Sequence, residues 1–253
     1  MSFYDLSKEE RIVLSQKIHA ELFSEINNGE QKHILKYFSD EDTYIRKVAY
    51  KSFGVIAKNK KHLLNKIITL LDSLFINEDE KVRQTVINAA GEIGKFDFAS
   101  VEHLMDKGLF DVHHSVRNAV IGSVKKMGEK NPKHVLAYAK QYLHHPYKEI
   151  RREICHGIEL RGRTHPQDIL PMLKELQWDT TARVRNTLIH VLGQIAYKKG
   201  CLATVTKDLQ TWENKQLVTE ALDEIIDVHD RYRNFAVLTQ EEARLHISSL
   251  VYG

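Results

Sequence analysis

Turn-forming residues are scarce in this chain, with 12 glycines and 4 prolines among 253 residues. A strand-rich fold needs a turn signal about every 8–12 residues, so so few punctuators argue against one. Cysteine is scarcer still. Cys155 and Cys201 stand alone, without metal or redox spacing, which excludes a disulfide framework and leaves reduced thiols. Uninterrupted apolar runs fall short of the ~20 residues of a membrane span. The opening stretch from Met1 to Arg11 is charged and lacks the apolar core of a secretion signal, so a cytoplasmic protein without a membrane partner is expected. A net charge of +3 is too small to argue for nucleic acid by itself. Nucleophile elbow, phosphate loop, dinucleotide fingerprint and His-Glu-x-x-His helix are all missing, so neither cofactor nor metal is assigned.

What is present is a repeat. Ile45-Arg46, Val82-Arg83, Val116-Arg117, Ile150-Arg151 and Val184-Arg185 follow one another at steps of 37, 34, 34 and 34, and Val218-Thr219 continues the register without the Arg. With each Arg as position zero, apolar or small residues fall at −1, +2, +3, +6, +7 and +10, the stripe of an α-helix buried on both flanks. The second copy reads Val82, Thr85, Val86, Ala89, Ala90, Ile93, and the third Val116, Ala119, Val120, Ser123, Val124, Met127. A second amphipathic segment precedes each Arg, and Pro132 and Pro166, 34 apart, suit its first turn. Two helices of some 11–13 residues and two short turns fill the period, leaving strands no room.

Position −6 carries Asp40, Asn77, Asp111, His145, Asp179 and Glu213. An acid or amide there suits a helix cap, and it could also reach the Arg of a neighbouring copy. Asp six residues before a buried-face Arg, with Pro in the preceding helix, resembles the HEAT repeat over roughly Gln31 to Asp230. That resemblance implies an all-α, right-handed solenoid of about six helical hairpins, its Arg helices lining a concave wall. Residues 1–253 then read as one domain: a capping helix in 1–30, the repeats in 31–230, a second capping helix in 231–253. Ser7–Glu10 and Thr239–Glu242 are capping-box patterns outside the repeat register. The Arg series itself reads as a structural ladder, because buried Arg is rarely left without a partner.

Two surfaces could carry function. Positions +1, +5 and +8 face the groove, with Lys47, Gln84, Asn118, Arg152 and Asn186 at +1, Lys51, Asn88, His156 and His190 at +5, and Glu159 at +8 of the fourth copy. The groove runs from basic to acidic at Glu220, Asp223, Glu224 and Asp227, which suits an extended polar partner. His156 and His190 share a row one helix spacing apart, but two histidines with no third ligand of matching spacing make a poor metal set, so hydrogen-bonded histidines are expected. Past the Arg helices, Lys58, Lys61, Lys95, Lys125, Lys126, Arg161, Arg163, Lys198 and Lys199 form a basic ridge. Cations are favoured at helix C-termini without any ligand, yet such a ridge could also track a nucleic-acid backbone.

The middle third, residues 131–152 (NPKHVLAYAKQYLHHPYKEIRR) and 168–196 (DILPMLKELQWDTTARVRNTLIHVLGQIA), is similar to the HEAT-like-repeat DNA glycosylases of alkylation repair. That family implies a carboxylate and aromatic rings converging in the groove. Here Glu159 is the one acid in mid-groove, flanked by His156, Arg152 and His190, while Tyr50 and Tyr197 belong to distant copies, Trp178 and Trp212 fall in turns, and His156 stands where the family tends to place its acid. The expectation is therefore a monomeric, non-catalytic scaffold binding a protein or extended polar ligand. A DNA-binding, alkylpurine-glycosylase-like protein using Glu159 is the alternative.

Overall fold

The structure is a computed structural model describing residues 2–251, and every regular element among them is helical. Met1, Tyr252 and Gly253, included in the expected domain span, lie outside the described residues. The chain divides into two compact units, Met1–Asn131 and Pro132–Gly253.

In the first unit α1 (Lys8–Asn28) leads into three hairpins: α2 (Lys32–Phe38) with α3 (Thr43–Asn59), α4 (Leu64–Phe75) with α5 (Glu80–Gly94), and α6 (Glu102–Leu109) with α7 (His114–Lys130). Helix α5 packs between α3 and α7. The second unit holds α8 (Pro132–Tyr142), α9 (Lys148–Gly157), the short α10 (Glu159–Gly162), α11 (Leu170–Glu175), α12 (Ala182–Ala196), α13 (Cys201–Leu209), α14 (Lys215–Arg231) and α15 (Gln240–Val251). Here α12 packs between α9 and α14. Each unit is thus a run of stacked helical hairpins, and the fold is an all-α solenoid.

The stripe read from the sequence is the core. All six stripe residues of α5 and all six of α7 are buried. Polar members of the stripe are satisfied across the stack, Thr85 Oγ1 donating to the Phe38 carbonyl at 3.0 Å and Ser123 Oγ to that of Ile87 at 3.2 Å. The hairpins are less even than the sequence suggests. First helices run 6 to 12 residues after α1, whereas α3, α5, α7, α12 and α14 run 15 to 17. Burial on two flanks keeps the second helix regular over its full stripe. Pro132 does open α8, but Pro166 opens a 3₁₀ turn, Pro166–Asp168, ahead of α11. In the fourth copy the Arg helix breaks at Ile158, separating α9 from α10.

The residue at −6 does not cap the Arg helix. The N-cap is at −4, where Asp42 and Asp79 accept from Tyr44 and Lys81. The side chains of Asp40, Asn77, Asp111 and Asp179 instead accept the N–H of residue −4, closing the turn between the two helices. Each Arg then seals its own turn: Arg83 Nη1 donates to the carbonyls of Asn77 (2.8 Å) and Glu78 (2.9 Å), and Arg151 Nη1 to those of His145 (2.8 Å) and Pro146 (3.0 Å). The remaining guanidinium edge reaches the next copy. Arg83 grips Asp111 with Nε at 2.8 Å and Nη2 at 3.1 Å, and Arg151 grips Asp179 at 2.5 and 3.0 Å. Where the next copy has Asn77 in place of Asp, Arg46 turns to Gln84 instead. The Asp/Arg ladder therefore exists within both units, as a planar two-bond clamp.

Both capping boxes form. Ser7 Oγ accepts from the Glu10 N–H and Glu10 returns a carboxylate to the Ser7 N–H, and Thr239 and Glu242 do likewise ahead of α15. Both cysteines are free and buried, Cys155 on α9 and Cys201 on α13. Trp212 is fully buried and donates to Asp208 at 2.8 Å, so it packs rather than recognises.

Candidate functional site

In the first unit lysines gather on the exposed side of α3, α5 and α7. A hollow of about 290 Å³ is lined by Tyr44, Lys47, Tyr50, Gln84 and Asn88, and another of about 530 Å³ by Lys51, Lys58, Glu92, Lys95, Phe96 and Lys130. Lys126 lies over the Tyr50 ring at 5.5 Å. Burial is the main reason the Lys126 ammonium is held below the usual lysine pKa. Lys95, Lys47 and Lys51 push the same way, against Glu92. Of this group, Lys95 pairs with Glu92 at 2.5 Å, while Lys47 and Lys51 are exposed. Helix α3 can approach α5 because residue 54 is glycine: a Cβ there would stand 2.5 Å from the Glu92 Cβ. The amides of this face are partly committed. Gln84 links Arg46 to the Ser115 carbonyl, Asn88 donates to the Gln84 carbonyl at 2.9 Å, and Asn118 is exposed.

The second unit is different. Its ridge arginines are engaged internally, Arg161 with Asp168 (2.6 Å) and Arg163 with Glu159 and Gln194. Arg163 also donates to the Tyr197 hydroxyl at 3.1 Å and lies over its ring. Lys198 covers the Tyr197 ring at 4.7 Å, and Lys199 is exposed. Tyr197 stacks on Tyr232 at 5.4 Å with nearly parallel rings. In the first unit Lys58 and Lys61 are exposed and Lys125 is half-buried. Of the other residues expected in a groove, Arg152 pairs with Glu149 at 2.9 Å and Asn186 is exposed.

Glu159, expected from the sequence as a mid-groove acid, is only 2% exposed. One carboxylate oxygen is held by Arg163 and the other by His156 Nε2 at 3.1 Å. His190 meets His156 edge-on, with ring centres 5.8 Å apart, and its Nδ1 lies 3.6 Å from Glu224. Glu224 in turn takes both terminal nitrogens of Arg231, at 3.0 and 3.2 Å. Gly193 lets α14 come this close, since a Cβ there would meet the Glu224 Cγ at 2.7 Å. One ligand atom each from His156, Glu159 and His190 lie within 4.8 Å of one another. Matching sequence spacing gives the two histidines no third ligand. Glu159 supplies it, three residues beyond His156, a separation that puts both on one helical face even across the break at Ile158.

No family model matches the chain, and no curated protein matches it. Solved structures do. The stacked hairpins place the chain in the HEAT/armadillo class of helical-repeat folds. AlkD2 from Streptococcus mutans shares that fold at 15% identity and a TM-score of 0.53, over 79% of this chain and 97% of its own. The protein smu.31 from Streptococcus mutans UA159 aligns at 18% identity and a TM-score of 0.47, over 82% and 96%. A computationally designed armadillo repeat protein for modular peptide recognition aligns at 14% and 0.37, over 82% and 98%.

Proposed function

We propose that the chain is a non-catalytic binding scaffold whose first unit takes an extended acidic segment of a partner protein along α3, α5 and α7. The observation that carries this reading is Lys126, half-buried against Tyr50, with Lys47, Lys51 and Lys95 repelling it and Glu92, already paired with Lys95, set against them. Gathering like charges around a partly dehydrated ammonium costs stability in the free protein, and an anion arriving there relieves both the repulsion and the lost hydration. The two hollows beside it give an extended chain room on either side, with the rims of Tyr44 and Phe96 exposed. Neither base excision nor another reaction is assigned. A catalytic carboxylate must face the charge developing on its substrate, whereas Glu159 is buried and spends both oxygens on Arg163 and His156.

A second reading keeps nucleic acid as the anion, favoured by the exposed Tyr44 and Phe96 rings beside the lysines. The acidic segment is preferred because Lys47, Lys51, Lys95 and Lys126 gather on one face of the first unit, whereas Arg161 and Arg163 of the second unit are tied to Asp168 and Glu159. Fluorescence anisotropy with a Glu/Asp-rich peptide and with single- and double-stranded DNA tests both readings. Peptide binding that weakens at least tenfold in Lys51→Glu/Lys126→Glu is the expected result. DNA binding with a steep salt slope, lost in the same variant, moves the assignment to nucleic acid. No binding of either at low salt ends the reading. Incubation with methylated DNA is expected to release no base, and release abolished by Glu159→Gln would make the protein a glycosylase.

A further inference from the structure

We propose that His156, Glu159 and His190 form a binding site for one divalent transition-metal ion of the zinc type. The inference is independent of the acidic-partner reading, which concerns other residues. Two imidazoles and one carboxylate are a donor set that zinc accepts, with the fourth position left to water or an exogenous anion. The spacing suits it. Donors about 2.0–2.1 Å from a tetrahedral ion stand about 3.3 Å from one another, and His156 Nε2 and Glu159 Oε2 are already 3.1 Å apart. The His190 ring is the third corner, with a ligand atom within 4.8 Å of the other two, and its side chain is 42% exposed, so an ion can reach it from solvent.

The outer contacts are those a metal site needs. Ligation through His190 Nε2 would leave Nδ1 facing the Glu224 carboxylate, 3.6 Å away, and Arg231 holds that carboxylate in place through both of its oxygens. On the other side Arg163, which also donates to Gln194 Oε1, holds the Glu159 carboxyl through Oε1, so that Oε2 faces the histidines. Carboxylate-to-imidazole and Arg-to-carboxylate supports of this kind fix ligand orientation and tautomer. A simple His156–Glu159 ion pair would account for one contact. It accounts neither for a second imidazole against the first nor for the carboxylate behind that second imidazole. The Arg163 charge opposes a cation nearby, so the metal is to be titrated in rather than expected to survive purification.

In the fold the ion would join α9 and α10, on either side of the break at Ile158, to α12 of the next copy. The test is calorimetric titration of Zn²⁺ into chelator-treated full-length protein, followed by thermal melts. One equivalent per chain is expected, with the melting temperature raised by several degrees at a hundredfold excess over Kd. Both effects should vanish in His156→Ala and in His190→Ala, and Glu224→Gln should weaken binding about tenfold or more. Absence of binding, or binding unchanged in both histidine variants, overturns the proposal. Should a variant fail to fold, X-ray absorption on the zinc-loaded wild-type protein decides. Two imidazoles in the inner sphere uphold the site, and sulfur ligands or an inner sphere without histidine reject it.

Discussion

At the scale of single residues the ladder arginines and Lys126 are opposites. Arg83 satisfies two carbonyls of its own turn and clamps Asp111, whose side chain is 5% exposed. Replacing Arg83 by Ala strands that carboxylate and opens the turn, so a loss of about 3–5 kcal/mol is expected in denaturant melts. Burial alone would raise the Asp111 carboxyl, but the Arg83 hydrogen bond, the His113 N–H and the Arg83 charge together hold it below the usual range. Asp179 is lowered for the same reasons by Arg151 and Thr181. A depressed carboxylate contributes stability above its unfolded pKa and loses it as pH falls through the folded value. Acid unfolding should therefore set in below about pH 4, and Asp111→Asn should flatten that limb of the stability curve. Lys126 carries the opposite sign: its lowered pKa means that the fold disfavours the ammonium. Lys126→Met should melt a few degrees higher than wild type while losing the acidic peptide. A lower melting temperature would show that the ammonium is held by contacts stronger than its burial.

At the scale of helices, periodicity told most of the story and chemistry the rest. The 34-residue step and the 3-and-4 stripe located every Arg helix, because a stripe buried on two flanks leaves little freedom in sequence. Caps were read nearly as well, and Ser7→Ala should cost α1 about 1 kcal/mol in a chemical melt, since the Glu10 N–H loses its acceptor. Two features were not legible. The N-cap was placed two residues early, because Asp at −6 satisfies a cap and a turn equally well on paper, and only backbone direction separates them. The trio of His156, Glu159 and His190 was missed for a related reason. His156 and His190 share the +5 row with Glu159 beside them at +8, where spacing marks it as a groove acid and not as a ligand. Its part in the trio depends on burial and on the grip of Arg163, which linear spacing does not show.

At the scale of the whole chain, the repeated clamp predicts how damage adds up. Arg83 with Asp111 lies in the first unit and Arg151 with Asp179 in the second, with no partner in common. Arg83→Ala and Arg151→Ala should therefore be additive within about 0.5 kcal/mol in the double variant. A larger discrepancy would mean that the copies communicate beyond their neighbours, against the near-neighbour behaviour of repeat arrays. The division of the chain also has a practical use. Cys155 and Cys201 both belong to the second unit, both are buried, and burial pushes both thiols up. A thiolate must reach solvent before an alkylating reagent can take it. The labelling rate in native buffer thus times the opening of the second unit alone, with the first unit silent. A chain bearing its own clock on one side can report, without any engineered probe, whether an ion at His156 and His190 slows that opening or a ligand on α3 and α5 leaves it untouched.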